Sequence, residues 1–152
     1  MTANEFRRVE INESCIDLIE RLEIPRDYVK NKFKEGRKIT VVVYLDKSEQ
    51  LVGFFWLTLG GEKDKQYVMK TRDAILLSKI YIAPQYRGQG LALTLMNDIF
   101  EVCRLKGASM LFAAVRKNNV SAWKMYKKTS YQPYRNALFF RVFRINIPQI
   151  CL

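Results

Sequence analysis

The chain has 152 residues, of which 26 are Lys or Arg and 15 are Asp or Glu, so its net charge is +11, and it contains no histidine. The length suits a single domain over residues 1–152, and a hydrophobic content of 49% argues against disorder. The lack of histidine excludes Ser-His-Asp and Cys-His nucleophile systems and histidine-based zinc sites. Acid–base chemistry must therefore use tyrosine, lysine, cysteine, a carboxylate or water.

The excess of positive charge predicts attraction to anions, which include nucleic acid, a membrane surface and phosphorylated small molecules. Cys15, Cys103 and Cys151 form no C-x-x-C pair, which favours a reduced, cytoplasmic compartment. The polar N-terminus has no apolar signal core, and no apolar run approaches the ~20 residues of a membrane span. We therefore expect a cytoplasmic protein with no membrane partner and no metal site.

The first half of the chain predicts short helices followed by a long hairpin. β-Branched and aromatic residues mark the strands, and polar or Gly-bearing segments separate them. In chain order the predicted elements are a strand near 5–11, a helix broken at Pro25, a short helix over 26–34, a strand over 39–45, its hairpin partner over 51–59 and a charged loop over 60–73.

The second half predicts a strand over 74–82, a helix over 91–106, a strand over 110–115, a short helix over 120–128 and a closing hairpin over 131–147. The turn of this hairpin is expected near Arg135–Asn136. The helix over 91–106 rests on a helical stripe of apolar residues, namely Ala92, Leu95, Met96, Ile99, Phe100 and Cys103.

This order of elements predicts an α/β (α+β) fold. The strands over 74–82 and 110–115 flank a helix, so they should be parallel neighbours in the sheet. The hairpins before and after this unit make the sheet mixed. We expect about six to seven strands flanked by about four helices.

The segment Gln85–Ala92 is the most informative part of the sequence, because it joins the end of a strand to the start of a helix. A helix N-terminus offers unpaired N–H groups and a positive dipole end. Gly88 and Gly90 lack a Cβ, so an anion can approach the backbone there, and Arg87 adds a charge. The pattern suits a pyrophosphate, and it equally suits an ordinary tight strand-to-helix turn. No G-K-[ST] follows, which excludes a P-loop.

A second cluster of polar and aromatic residues runs from Asn118 to Tyr126. Asn119 is placed to cap the helix, and Ala122 and Tyr126 share one of its faces. Taken by itself, Tyr126 is more readily explained as a core tyrosine than as a functional one.

Together the two segments resemble the GNAT superfamily of acyl-CoA-dependent N-acetyltransferases. Members of that family carry an [RQ]-x-x-G-x-[GA] loop, a long helix, a parallel strand and then an N-x-x-A-x-x-x-Y helix. Residues 74–131 carry both motifs in this order. The first is supplied by Gln85, Gly88 and Gly90, and the second by Asn119, Ala122 and Tyr126.

The resemblance implies a GNAT-like sheet that splays between the strands over 74–82 and 110–115 and admits acetyl-CoA as the acyl donor. The backbone of Ile80, Tyr81 and Ile82 would pair with the pantetheine arm, and an amide near Tyr81 or Ile82 would polarise the thioester carbonyl. Asn119 would bond the pantetheine or cap the helix beside it. Tyr126 would protonate the leaving thiolate, whose pKa of about 8.5 is close enough to a tyrosine pKa of about 10. The backbone amides that would hold the pyrophosphate belong to Gln85, Tyr86, Arg87, Gly88, Gln89, Gly90, Leu91 and Ala92.

The sequence departs from the family in the residue that would act as general base. Many members carry a Glu on the strand that corresponds to 74–82, where this chain has Ser78 and Lys79. A water chain, Tyr81 or an acid of the 60–73 loop (Glu62, Asp64, Asp73) would have to help, although each loop acid is more simply a solvated side chain. A second departure is Ser130-Tyr131, where the family shows Gly before an aromatic residue.

The favoured function is an N-acetyltransferase that moves an acetyl group directly from acetyl-CoA to a primary amine of a small molecule or peptide. No covalent acyl-enzyme is expected, because Cys103 lies on the apolar stripe of its helix. A basic nucleic-acid-binding module and a catalytically silent CoA-binding module are the alternatives. Nothing resembles a nucleic-acid motif with spaced aromatics on a sheet. Self-association as a homodimer is left open.

Overall fold

A computed structural model describes residues 6–22, 27, 30–31, 39–59, 73–129, 132–136 and 140–146. Its strands are β1 (Arg7–Glu10), β2 (Ile39–Leu45), β3 (Leu51–Leu59), β4 (Ala74–Ile82), β5 (Met110–Arg116), β6 (Gln132–Asn136) and β7 (Phe140–Asn146). They form one mixed sheet of seven strands in the order β1-β2-β3-β4-β5-β7-β6. The helices of the described residues are α1 (Leu91–Leu105), α2 (Val120–Lys127) and two 3-10 helices, Glu13–Leu22 and Pro84–Tyr86.

The predicted mixed α/β fold is confirmed, the strands follow one another along the chain as predicted, and β2, β3 and β4 have the predicted bounds. The helix predicted before Pro25 is a 3-10 helix with non-helical backbone at Cys15. Of the helix predicted over 26–34, residues 27 and 30–31 are helical and the rest lies outside the described residues, as does 60–72 of the predicted loop. The turn predicted near Arg135–Asn136 is wrong, because β6 continues through Asn136.

The central strands are buried on both faces, which explains their nearly continuous apolar sequences. One face packs on α1, whose fully buried residues include Leu95, Met96 and Ile99 of the predicted stripe. The other face packs on the 3-10 helix Glu13–Leu22 through Ile16, Ile19 and Leu22. Two apolar layers therefore hold the sheet between helices and fix the position of β4 at its centre.

β4 and β5 are parallel neighbours, as predicted, but they pair over only part of their length. The pairing runs from Ala74 opposite Met110 to Leu77 opposite Ala113 and then stops. At the same point the register of β4 with β3 shifts, because Trp56 is opposite Lys79 while the next residue, Leu57, is opposite Leu77. Ser78 is thus the extra residue of a β-bulge, and bulges bend the strand that carries them. Beyond Ser78 the two strands diverge and leave a cleft in the sheet.

Candidate functional site

The segment between β4 and α1 is a tight turn that depends on two glycines. Gly88 has φ +76° and Gly90 has φ +82°, which is the left-handed region that glycine enters without steric cost. A Cβ built on either glycine would meet no atom within 4 Å, so the neighbouring structure does not require glycine for space. The two glycines are needed for backbone conformation, and the space beside them is open.

The turn presents backbone donors toward this open space. Gly90 precedes α1 and provides no side-chain cap, so the first amides of the helix keep their positive character. Among the described residues, the amides of Gly88, Gln89 and Gly90 have no backbone acceptor. The amides of Tyr86 and Arg87 differ, because they donate to Ala83 O (2.9 Å) and Pro84 O (3.2 Å). The amides of Tyr86 and Arg87 are thus occupied within the turn, whereas those of Gly88 to Gly90 are not.

Side chains tie the turn to the rest of the fold. The hydroxyl of Tyr86 donates to Asp46 Oδ2 at 2.5 Å, and this bond lowers the pKa of the Asp46 carboxyl and raises that of Tyr86. The ring of Tyr86 also meets that of Phe6 edge to face at 6.0 Å. Arg87 Nε donates to Ile82 O at 2.9 Å, and its guanidinium lies 5.9 Å from the ring centre of Tyr81. These contacts hold the turn at the end of β4.

A cavity of about 520 Å³ lies between this turn and α2. One wall consists of the turn and the start of α1, and the opposite wall is one face of α2, where residues three and four apart are neighbours. Three cations, Arg87, Lys124 and Lys128, line it, and no carboxylate does so among the described residues. The full lining is Ile82, Tyr86, Arg87, Gly88, Gly90, Leu91, Ala92, Leu93, Ser121, Lys124, Met125 and Lys128.

The cavity contains residues that the sequence analysis did not single out. Ser121, Lys124, Met125 and Lys128 were missed, although their spacing of three, one and three marks a single helix face. That spacing was visible in the sequence. The side of α2 that faces the turn depends on how the helix packs, and neighbouring sequence does not encode it.

The structure puts the residues of the second motif at the start and on the buried face of α2. Asn119 caps the helix, and its Oδ1 accepts a hydrogen bond from the amide of Ala122 at 3.1 Å. Tyr126 is buried, 4% exposed, in one cluster with Leu77, Ala113 and Val115, the residues around the point where β4 and β5 separate. Burial raises the pKa of the Tyr126 phenol. Tyr126 therefore keeps its proton well above neutral pH.

The second half of β4 offers an open backbone edge. Ile80, Tyr81 and Ile82 pair on one side with Phe55, Phe54 and Gly53 of β3. Their other side faces the cleft, where β5 has ended its pairing with β4. An extended ligand can add to such an edge as an extra strand does.

The candidates for a general base lie in different places. Asp73 precedes the paired end of β4, where it accepts a hydrogen bond from the Ser109 hydroxyl. It is five residues from the bulge at Ser78, about 16 Å along an extended strand. The ring of Tyr81 packs on Phe54 at 5.5 Å. Glu62 and Asp64 lie outside the described residues.

Two further observations limit the chemistry. Cys103 is fully buried in the core, and burial raises the pKa of its thiol to about 12, which leaves it inert as a nucleophile at neutral pH. The described residues contain no cluster of three or more side chains with metal-ligating groups. Within the same part of the chain, no helix combines the length and apolarity that crossing a membrane requires.

The chain matches the sequence model of the Acetyltransferase (GNAT) family over residues 7–131. It is 27% identical over 124 residues to an uncharacterized N-acetyltransferase of Mycobacterium tuberculosis, and the alignment covers 82% of this chain and 65% of the relative. It is 37% identical over 70 residues to the thialysine N-epsilon-acetyltransferase of Bos taurus, and this alignment covers 46% of this chain and 41% of the relative. The matches thus span less than two thirds of these curated relatives.

Among solved structures, the spermidine N-acetyltransferase of Vibrio cholerae superposes with a TM-score of 0.72. The superposition covers 95% of both chains at 15% sequence identity. At that identity the likeness concerns the fold alone. It agrees with the mixed α/β fold.

Proposed function

Because the chain belongs to the Acetyltransferase (GNAT) family, we propose that it transfers the acetyl group of acetyl-CoA to a primary amine in a ternary complex. One observation carries the proposal: the Gly88–Gly90 turn and α2 enclose a cationic cavity directly beside the cleft between β4 and β5. A ligand with an anionic end and a long extended arm fits that combination.

The phosphate end of acetyl-CoA would bind in the cavity. The amides of Gly88 to Ala92 supply donors, and the N-terminus of α1 adds its dipole. The side chains of Arg87, Lys124 and Lys128 supply charge, which suits a pyrophosphate together with a ribose phosphate. The predicted contributions of Tyr86 and Arg87 would then be mainly to shape and charge, because their amides are already used within the turn. The amide of Gln85 stays a proposed donor.

The pantetheine arm would lie in the cleft and pair with the backbone of Ile80 to Ile82. This edge of β4 faces away from its partner β3, which supports the role. Asn119 would flank the arm while its side chain caps α2. A backbone amide near Tyr81 would polarise the thioester carbonyl, as the donors of an oxyanion hole do.

Tyr126 would return a proton to the sulfur as the carbon–sulfur bond breaks. Tyr126 lies buried beside Leu77 and Ala113, so its phenol is protonated before the reaction, as a general acid must be. Burial also makes the phenol a weaker acid, but a thiolate formed in the same apolar site is likewise desolvated, which raises the pKa of its thiol and favours the transfer. The nitrogen of the neutral acceptor amine attacks the acetyl carbon directly, and an amide forms as the carbon–sulfur bond breaks. CoA leaves as the free thiol, and the proton that the nitrogen loses would pass through water and restore the phenol. No cysteine takes part, since Cys103 lies inert in the core.

The acceptor is proposed as a primary amine of a small molecule or peptide. The relatives are named for different amines, which supports the common class and not one member of it. We also propose that the protein acts in the cytoplasm. Its three cysteines form no C-x-x-C pair and no disulfide framework, which agrees with a reducing compartment. Self-association as a homodimer remains an expectation.

The test is a thiol-release assay with acetyl-CoA across polyamines, aminosugars, amino acids, aminoglycosides and peptide N-termini. We expect at least one amine class to be acetylated, and Tyr126→Phe to lower kcat about 10²-fold or more while cofactor affinity stays nearly unchanged. Tyr44→Phe is the matched control, because it removes another buried tyrosine hydroxyl, which donates to Asp98 of α1 and does not line the cavity. Equal turnover of wild type and Tyr126→Phe would show that Tyr126 is not the acid.

A further inference from the structure

The three adjacent strands β2, β3 and β4 carry a single charged side chain among them, Lys79. Their 25 residues include no Asp, Glu or Arg. A charge in the middle of such an apolar sheet is costly unless it reaches water or a partner, and Lys79 is exposed. The face of the sheet from which Lys79 projects therefore indicates which ligand its ammonium group can contact.

Lys79 immediately follows the bulge at Ser78, where β4 separates from β5. The Lys79 ammonium lies 5.4 Å from the ring centre of Phe54, which belongs to the layer opposite α1. Ile80 and Ile82 pack against the α1 layer instead. Because side chains alternate along a strand, Lys79 projects from the face of the sheet that α1 and α2 leave open.

The acceptor must approach from that same face. In the proposed function, acetyl-CoA binds on the side of the sheet where α1 and α2 lie. These helices then block the approach of an acceptor to the thioester from that side. The other face is where Lys79 is exposed, beside the hydroxyls of Ser78 and Thr58, which bond each other at 2.8 Å. Within β2, β3 and β4, Lys79 is then the charged side chain on the face from which the acceptor would approach.

We propose that Lys79 binds a carboxylate of the acceptor, so that the acceptor is an amine that also carries a carboxylate, such as an amino acid. This inference rests on the proposed function and narrows its substrate class. An ammonium beside Lys79 would be repelled, whereas a carboxylate would form a charge-assisted hydrogen bond. Polyamines, which bring a second positive charge and no anion, are disfavoured acceptors.

The composition of the segments that the sequence predicts to contact the acceptor agrees with this choice. These segments, residues 22–38, 60–73 and 131–138, together contain eleven Lys and Arg against six Asp and Glu. These segments thus have a net positive charge. They lack the excess of acidic residues that would attract a polycation. Attraction between a positive protein and an anionic group also speeds association.

The experiment compares acceptors that differ in one end group. Each ω-amino carboxylate, from glycine to 6-aminohexanoate, is paired with the n-alkylamine and the α,ω-diamine of the same chain length. For wild type we expect kcat/KM to favour the carboxylate over the diamine about tenfold or more at the best chain length. Calorimetric binding of the same acceptors to the CoA complex gives a second readout that does not depend on turnover.

Lys79→Gln should bring the carboxylate-to-diamine ratio close to one, and Lys79→Glu should invert it. Lys106→Gln is the control, because it removes an exposed lysine at the C-terminal end of α1 and should leave the ratio unchanged. Acetyl-CoA affinity is measured for each variant. If wild type binds acetyl-CoA but prefers diamines, or if Lys79→Gln keeps the preference for carboxylates, the inference is overturned while the proposed function stands. Loss of acetyl-CoA binding by wild type itself would instead overturn the proposed function.

Discussion

Gly88 and Gly90 show how single residues determine the shape of the proposed cofactor site. Both hold a left-handed backbone, and both border the cavity. The unusual backbone conformation expected at this pair from the sequence is confirmed, because both glycines have positive φ angles, which glycine adopts most cheaply. Their binding of the cofactor stays a prediction. The pattern could not reveal Lys124 and Lys128, since their orientation follows from the packing of α2 on the core.

Replacing Gly90 with Ala should weaken acetyl-CoA binding more than it weakens the fold. An L-residue in this conformation costs about 1–2 kcal/mol, and the new Cβ meets no protein atom. The methyl group would instead stand where the phosphates are proposed to bind. We expect the free energy of unfolding, from urea denaturation, to fall by about that amount, and calorimetry to show at least a tenfold loss of acetyl-CoA affinity.

Gly107→Ala provides the matched control for this substitution. Gly107 has φ +71° and equally open surroundings, but it lies after the other end of α1. The Gly107→Ala variant should lose a similar amount of unfolding free energy and keep the acetyl-CoA affinity of the wild type. Equal affinity losses in both variants would show that the effect comes from strain and not from the cavity.

At the scale of elements, the divergence of β4 from β5 creates the cleft. The sequence predicted that the two strands are parallel neighbours, because a helix connects them. The residue at which they separate could not be predicted, since the bulge at Ser78 is defined by pairing with β3 and leaves no mark in the local sequence. The closing hairpin shows the same limit, because strand lengths decided the position of its turn.

Gly53→Ala should shift the open edge of β4 through its neighbouring strand, β3. Gly53 lies opposite Ile82, and an added Cβ would come within 2.6 Å of the Tyr81 carbonyl oxygen. This atom belongs to the backbone, so β3 and β4 must shift to relieve the clash. We expect a loss of about 1–3 kcal/mol in the free energy of unfolding. The affinity for acetyl-CoA should also fall several-fold, because Tyr81 and Ile82 are proposed to pair with its arm.

Val41→Ala separates the two effects of that substitution. Val41 is fully buried in β2, in the layer opposite α1. Its truncation should destabilise the protein by about 1–3 kcal/mol. Because β2 pairs with β1 and β3 and not with β4, the backbone of β4 should stay in place. If Val41→Ala reduces acetyl-CoA affinity as much as Gly53→Ala does, general destabilisation explains both results, and the proposed role of the β4 edge is contradicted.

At the scale of the whole molecule, the net charge of +11 acquires a partial explanation. Composition alone pointed to anions and left nucleic acid and phosphorylated small molecules as equals. The fold concentrates Arg87, Lys124 and Lys128 around one cavity beside a helix N-terminus, a geometry that suits a small phosphorylated ligand. The absence of histidine, read from the sequence, leaves the proton donation to a residue such as Tyr126.

Calorimetric titration of the protein with acetyl-CoA tests the central claim most directly. We predict that one acetyl-CoA binds per chain, that the affinity falls as salt concentration rises, and that an oligonucleotide of similar total charge does not compete. Free CoA should bind at the same site. Absence of binding by both acetyl-CoA and CoA, with the oligonucleotide binding instead, would contradict the account.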